Sequence, residues 1–271
     1  MVRQQSIGIF DSGVGGLSIA RAIKQILPQE NLVYFADTAF SPYGNKSKNT
    51  IEQRTEEITN FLIEQNCKMI VVACNTATVN SVSNLRSKFS MPIVGVEPAI
   101  KPAALQSKTG VIGVLATAQT LQSDSFAQLK AKHANKVRIE EKACPQFVSL
   151  VENLEYNDEQ AIEVAEHYIR PLLLQGCDQL VLGCTHFSFL TSTIKKIVGA
   201  EVNIIDTATP VAMELKRKLH SHNFQTLVDE EGSVEFWSSA DSKKLTESIS
   251  QLWGKNIKVL AIDSLSPLSS K

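Results

Sequence analysis

What this chain lacks narrows it before any motif is read. No apolar run approaches the ~20 residues of a membrane-spanning helix, so no transmembrane segment is expected. Its 27 Lys and Arg balance 28 Asp and Glu, with no basic block. That argues against a partner held through phosphates, nucleic acid above all. Met1-Val2-Arg3-Gln4-Gln5 offers no apolar leader, and a cytoplasmic protein is expected. Neither cofactor fingerprint is complete: Gly13-Val14-Gly15 begins the dinucleotide pattern, but Ser18 takes its closing position and no P-loop lysine follows. The 5 cysteines, an odd number, fit free thiols in a reducing compartment better than a disulfide framework. At 271 residues, 43% hydrophobic and 20% charged, the chain is ordinary globular material able to bury a core.

Four cysteines fall in a repeated string. Cys67-Lys68-Met69-Ile70-Val71-Val72-Ala73-Cys74 and Cys177-Asp178-Gln179-Leu180-Val181-Leu182-Gly183-Cys184 each lead into a polar cluster, Asn75-Thr76 and Thr185-His186. The offset is constant, since 177 − 67 and 184 − 74 both equal 110. If each string is a strand, seven steps of ~3.3 Å hold its two cysteines more than ~20 Å apart. A disulfide reaches only ~7 Å between Cα atoms, and zinc motifs space their ligands by about two to four residues. Within a string neither reading holds, and no metal site is expected; Cys74 and Cys184 can still meet across the fold.

Around these strings the chain alternates strand and helix, twice in the same order. Strands are expected at 7–10, 32–35, 67–74 and 93–96, with helices ending near Ile26, over 50–65 and over 79–89. The second half repeats this: Ile112-Gly113-Val114-Leu115 matches Ile7-Gly8-Ile9-Phe10 at an offset of 105, and the helix Asp158 to Gln175 precedes the second string as Thr50 to Gln65 precedes the first. Leu62 and Gln65 have identical counterparts in Leu172 and Gln175. The reading is α/β: two duplicated units related by a pseudo-two-fold, each with a mostly parallel sheet, and the active site in the cleft between them. The tail after Pro210 carries two more strands and is expected to return to the first unit, giving domains of 1–97 plus 210–271 and 98–209. Ser264 to Lys271 reads as a frayed polar end.

Ligands in open α/β sheets bind beyond the carboxyl ends of the strands. Asp11, Asp37, Cys74, Glu97, Thr117, Cys184 and Asp206 hold those positions. Cys74 and Cys184 each precede a helix, whose N-terminus favours a thiolate, whereas Cys67 and Cys177 open their strands and read as small buried hydrophobes. The loop at Gly13 is either a tight turn or, with Ser12, a cradle for a small anion, and Asp11 adds an acceptor. Two thiols at equivalent positions of duplicated units should face each other across the cleft. That arrangement suits a substrate and product that are mirror images: one thiolate removes an α-proton from one face, and the opposite thiol protonates the other.

Asp11-Ser12-Gly13-Val14-Gly15-Gly16-Leu17, Asp37 with Pro42-Tyr43-Gly44, Ala73-Cys74-Asn75-Thr76-Ala77, Gly95-Val96-Glu97-Pro98 and Gly183-Cys184-Thr185-His186 closely resemble the glutamate racemases of bacteria, in the family's order from about residue 7 to 210. The resemblance implies cofactor-independent interconversion of L- and D-glutamate, supplying D-glutamate for peptidoglycan, in a homodimer that in some members answers to a cell-wall precursor. It implies Cys74 and Cys184 as the two proton donor/acceptors, Asp11 assisting the first and His186 the second. Asp11, Ser12, Tyr43, Gly44, Asn75, Thr76, Thr185 and His186 become substrate contacts, and Glu152 resembles the family's glutamate near the second cysteine. Phe187-Ser188 departs from the Tyr-Pro that commonly follows Cys-Thr-His. Two alternatives stay open: an aspartate racemase of the same architecture, and a non-catalytic amino-acid-binding or redox-sensing protein.

Overall fold

The computed structural model describes residues 2–240 and 243–262; the expected frayed end from Ser264 lies outside them. The first half runs β1 (Ser6–Asp11), α1 (Leu17–Ile26), β2 (Leu32–Ala36), α2 (Lys48–Glu64), β3 (Cys67–Val72), α3 (Asn75–Lys88), β4 (Ile93–Gly95) and α4 (Ile100–Gln106). The second runs β5 (Val111–Ala116), α5 (Ala118–Leu121), α6 (Asp124–Ala131), β6 (Arg138–Ala143), α7 (Pro145–Glu152), α8 (Glu159–Leu174), β7 (Gln179–Gly183), α9 (Thr191–Val198) and β8 (Asn203–Ile205). The tail adds α10 (Ala208–Ser221), β9 (Val234–Ser238), α11 (Lys243–Trp253) and β10 (Val259–Ala261). No helix among the described residues is long and apolar enough to cross a membrane.

Two sheets result, ordered β10-β9-β2-β1-β3-β4 and β6-β5-β7-β8, with every pairing parallel. The run β2-β1-β3-β4 and the whole second sheet have the same order, so the α/β duplication expected from the repeated strings is an architectural fact. The tail strands extend the first sheet beyond β2. All carboxyl ends of one sheet therefore share an edge, and loops at that edge collect the polar residues.

The duplication reaches the packing. Gly8 in β1 sits beside Ile70 in the sheet, and a Cβ there would lie 2.9 Å from Ile70 Cδ1 and 3.1 Å from both Cys67 Sγ and Leu62 Cβ. Gly113 in β5 sits beside Leu180, and its Cβ would meet Leu180 Cδ1 at 3.0 Å, Leu172 Cδ1 at 3.1 Å and Cys177 Sγ at 3.5 Å. In each unit the helix ahead of the cysteine string thus presses on a glycine of the central strand, with a small sulfur filling the space beside it. Burial pushes the Cys67 thiol up to about 12 and that of Cys177 to about 11, aided by Glu235 and Glu140 respectively. Both are packing atoms, inert as nucleophiles.

Local differences from the expected elements have physical causes. Helix α3 starts at Asn75, four residues before the expected position, because Cys74 itself caps it. Cys177 precedes β7 by two residues, since Asp178 turns its carboxylate to Ser107 Oγ and the N–H groups of Lys108 and Thr109. The polar stretch after β2 holds two short 3-10 turns, Thr38–Phe40 and Tyr43–Asn45.

At the opposite edge of the first sheet Lys68 and Glu30 form a buried ion pair at 2.6 Å, and Glu30 also accepts the Thr226 N–H at 2.8 Å. Lys68 reaches the Arg3 carbonyl at 2.8 Å too, so one buried charge pair holds the N-terminal segment and the connection after α10 to the sheet. Lys68→Ala should cost about 3–5 kcal/mol, because it leaves a buried carboxylate without its cation. The pair Lys68→Met with Glu30→Gln, measured by urea unfolding, should lose distinctly less. Equal losses would mean that shape, not charge, is what Lys68 supplies.

Candidate active site

Both string-ending cysteines sit where a strand passes into a helix, but the two passages differ. Cys74 caps α3 from extended backbone, and its sulfur accepts the Ala77 N–H at 3.4 Å. Its thiol points to Ser12 Oγ at 3.7 Å. Cys184 opens the expected helix as a 3-10 helix, Thr185–Leu190, and α-helical winding starts only at Thr191. Phe187 and Leu190 are both fully buried, and a three-residue period puts them on one face. The helix N–H that cradles Cys74 has no counterpart at Cys184, whose sulfur lies 3.8 Å from His186 Nδ1.

Asp11 joins these two ends. It is fully buried at the end of β1, with Oδ1 accepting the Gly13 N–H at 2.7 Å and Oδ2 accepting the Thr185 hydroxyl at 3.0 Å. Ser12 donates to the same carboxylate at 3.4 Å, and Ser18 Oγ reaches the Thr185 carbonyl at 3.2 Å. The first cysteine's hydroxyl neighbour and the second cysteine's threonine neighbour therefore share one carboxylate. Burial pushes Asp11 above the usual carboxylate range, against His186 and the hydrogen bonds of Gly13 and Thr185. The Cys74 thiol is likewise pushed up, first by burial and then by Asp11, with the Cys184 sulfur close enough to add to the effect.

The second thiol has a longer chain of partners. His186 Nε2 lies 2.7 Å from Glu152 Oε1, at the end of α7, and that oxygen also accepts the Val14 N–H at 3.2 Å. Burial works against a charged imidazole, yet the hydrogen bonds to Cys184 and Glu152 outweigh it and hold His186 protonated well above the ordinary histidine range. Burial also opposes the Glu152 carboxylate, but His186 and Val14 keep it below the usual range. The Gly13-Val14 turn is thus an anion cradle of a particular kind. Its N–H groups are taken by Asp11 and Glu152 from the protein itself, not left for a small ligand. A Cβ on Gly13 would overlap the Glu152 carboxylate, and one on Gly15 the His186 ring, so glycine is required for this close approach.

The remaining expected contacts gather on the Cys74 side. Asn75 is 2% exposed, and neither its amide nitrogen nor its oxygen has a partner. A buried orphan amide at the head of a helix marks where a polar ligand is expected. Thr76 Oγ1 lies 2.9 Å from Thr117 Oγ1 and 3.3 Å from Thr120 Oγ1, and Thr117 and Thr120 lie 2.9 Å apart. Tyr43 is buried and donates to Asp37 Oδ2 at 2.5 Å. Gly44 faces Thr117, and a Cβ on that glycine would lie 3.4 Å from Thr117 Cβ. Thr120 is a site neighbour that the sequence reading misses; its signal is the cap spacing Thr117-Ala118-Gln119-Thr120, with Thr117 Oγ1 accepting the Thr120 N–H. Two strand-end candidates do not join: Glu97 is exposed, and Asp206 accepts the Ala208 N–H at the head of α10. Among the described residues no group of three or more His, Cys, Asp or Glu is placed to hold a metal.

The arrangement supplies two buried thiols, each with a separate proton partner. It suits acid–base work on a group held between them. His186 is held charged by Cys184 and by Glu152; Glu152→Gln removes the second of these, so His186 should titrate at lower pH in the variant, read by histidine NMR with His133, His167, His220 and His222 as internal controls. A histidine raised in the folded state stabilises fully below its unfolded value of about 6.5 and loses that contribution as pH rises through the folded value. An unmoved His186 titration in the variant would rule Glu152 out as its partner.

Residues 15–215 match the sequence model described as Asp/Glu/hydantoin racemase. The glutamate racemase of Pseudomonas putida strain W619 is 45% identical over 253 residues, 93% of this chain and 95% of that protein. Among solved structures, the glutamate racemase of Francisella tularensis in complex with D-glutamate has a TM-score of 0.85 at 28% identity, covering 97% of this chain and 98% of that one. The Escherichia coli glutamate racemase, in complex with L-glutamate and the activator UDP-MurNAc-Ala, has a TM-score of 0.83 at 31% identity, covering 95% and 97%. Fold, site geometry and these likenesses agree: the chain belongs to the Asp/Glu/hydantoin racemase family.

Proposed function

We propose that this chain is a glutamate racemase that interconverts L- and D-glutamate by two-base proton transfer at the α-carbon, without a cofactor. The observation that carries the reading is the pair Cys74 and Cys184 at equivalent ends of duplicated strands, joined through Ser12, Thr185 and the one buried Asp11, with the orphan amide of Asn75 following Cys74 in the chain. In one direction a thiolate takes the α-proton from one face while the opposite thiol delivers a proton to the other; in the reverse direction the roles exchange. Asp11, through Ser12, assists Cys74. His186, held by Glu152, assists Cys184. Ser12, Tyr43, Gly44, Asn75, Thr76 and Thr185 contact the substrate's charged ends, with Thr117 and Thr120 completing the hydroxyl cluster. Buried thiols resist ionisation, so hydrogen bonds and neighbouring charge must stabilise whichever sulfur is the base.

The choice of glutamate is supported by the identity with the Pseudomonas putida enzyme and by relatives of this fold solved with each enantiomer. We assign the product D-glutamate to peptidoglycan synthesis in the cytoplasm, and the working form to a homodimer of two-domain chains divided as 1–97 plus 210–271 and 98–209. Extension of the first sheet by β9 and β10 supports that division. The activator held by the Escherichia coli relative makes a cell-wall precursor the candidate regulator.

Incubation with L-glutamate in heavy water, without added cofactor, should produce loss of optical rotation together with deuterium at the α-carbon. No incorporation from either enantiomer in the reduced protein would sink the racemase reading, and equal turnover of aspartate would move the substrate assignment. Cys74→Ala and Cys184→Ala should each abolish racemisation, since a base on one face cannot serve the other. Near-normal turnover by either variant would call for a one-base mechanism.

A further inference from the structure

Residues 37–47, between β2 and α2, carry Tyr43 and Gly44 to the site, yet they form no strand or α-helix. Their internal order rests on four turn hydrogen bonds: Phe40 N–H to the Asp37 carbonyl, Ser41 N–H to Thr38, Asn45 N–H to Pro42 and Lys46 N–H to Tyr43. The first part is also tied to β9 and its end, through Thr38 Oγ1 with Ser238 Oγ at 2.8 Å and Ala39 N–H to Ser239 Oγ at 3.0 Å. The part that carries Tyr43 and Gly44 is held differently. Among the described residues, the one side-chain hydrogen bond made by residues 41–46 runs from Tyr43 Oη to Asp37 Oδ2.

Asp37 is fully buried, and what neutralises it is Arg54, on the inner face of α2. The guanidinium bridges both carboxylate oxygens, Nε to Oδ2 at 3.1 Å and Nη2 to Oδ1 at 2.7 Å. Its third nitrogen, Nη1, donates to Glu57 at 2.5 Å, which fixes the plane of the fork. The Phe40 ring lies over the same group, 4.0 Å from Cζ to the ring centroid. Loop positions 37, 40 and 43 therefore converge on one buried cation: by a two-point ion pair, by a ring face, and through the shared carboxylate. The turn they hold packs against the starts of α3 and α5, where Asn75, Thr76 and Thr117 stand.

We propose that Arg54 is a positioning residue for the substrate, setting the Tyr43–Gly44 wall of the cleft through Asp37 and Phe40. The proposal rests on the racemase reading for its kinetic effect, but not for its structural one. A planar, bidentate, stacked guanidinium cannot be replaced by a lysine point charge. Arg54 touches neither thiol, so its loss should weaken substrate binding more than it slows proton transfer.

Three measurements on the full chain test this. Arg54→Ala should raise KM for both glutamate enantiomers by roughly tenfold or more with kcat changed much less, a tenfold loss of binding being ~1.4 kcal/mol. Millimolar guanidinium should restore part of the lost affinity. Arg54→Lys keeps the charge that lets Asp37 stay buried, so it serves if the alanine variant does not fold, and its KM should also rise. Amide hydrogen exchange, read by mass spectrometry without substrate, should quicken over residues 37–47 in either variant. Wild-type KM in both variants, or a raised KM with unchanged exchange in that loop, would overturn the proposal. If the wild-type chain itself failed to exchange the α-hydrogen, the racemase reading would fall, and loop exchange alone would still decide the role of Arg54.

Discussion

One buried carboxylate holds this site together. Asp11 leaves the end of β1 with no exposure to water and spreads its acceptors over Gly13, Ser12 and Thr185. A buried carboxylate without hydrogen bonds would be costly, so each of these bonds is strongly specified. Together they fix the Gly-rich turn, the hydroxyl beside Cys74 and the residue after Cys184. Asp11 is reinforced by the Val14 N–H on Glu152, by Ser18 Oγ on the Thr185 carbonyl and by the Thr76–Thr117 pair, which join the same two edges. Of these groups it is the one that reaches the neighbours of both cysteines.

Duplication gives that bridge two like ends to join. Each unit sets its string-ending cysteine by the same local packing: a helix leucine, a central-strand glycine and a small sulfur at the start of the string. Gly8 and Gly113 let Leu62 and Leu172 approach, and that approach sets helix height over the sheet. With the two units built alike, a small set of inter-unit contacts around Asp11 orients two equivalent positions. The helices that follow then distinguish them: an α-helix after Cys74, a 3-10 helix after Cys184.

Much of this is legible in the chain because periodicity and repetition are local or fixed-offset signals. The strings at 67 and 177, the alternation of strands and helices, and the tail's extra strands all leave such marks. What stays hidden depends on contacts between distant residues. Arg54 on an amphipathic helix reads as one more polar-face residue, and nothing in its neighbourhood announces Asp37, 17 positions earlier. Glu152 meets Val14 across 138 positions. The Gly13 turn reads as a cradle for a ligand's anion because composition shows donors but not which acceptor fills them. The helix expected after Cys184 is there, but its 3-10 winding stays hidden for a similar reason: it goes with burial of Phe187 and Leu190, and burial is a property of the assembled fold.

The two thiols are equivalent by position and unlike in chemistry. Cys74 faces a hydroxyl and a carboxyl whose burial favours the protonated form, whereas Cys184 faces an imidazole that keeps its proton, against burial, through its hydrogen bonds to Cys184 itself and to the Glu152 carboxylate. Enantiomers have equal free energies in water, so a racemising site needs no bias in its overall equilibrium. Under the proposed two-base mechanism each sulfur serves as base in one direction and acid in the other. A hydroxyl–carboxyl pair and an imidazole–carboxylate pair can both support a sulfur in either protonation state, by rotating a donor or by sharing a proton. Mirror-image chemistry therefore constrains where the two sulfurs stand far more tightly than it constrains what stands behind them. The duplicated strands are alike in order and packing, and the contacts that flank their ends differ.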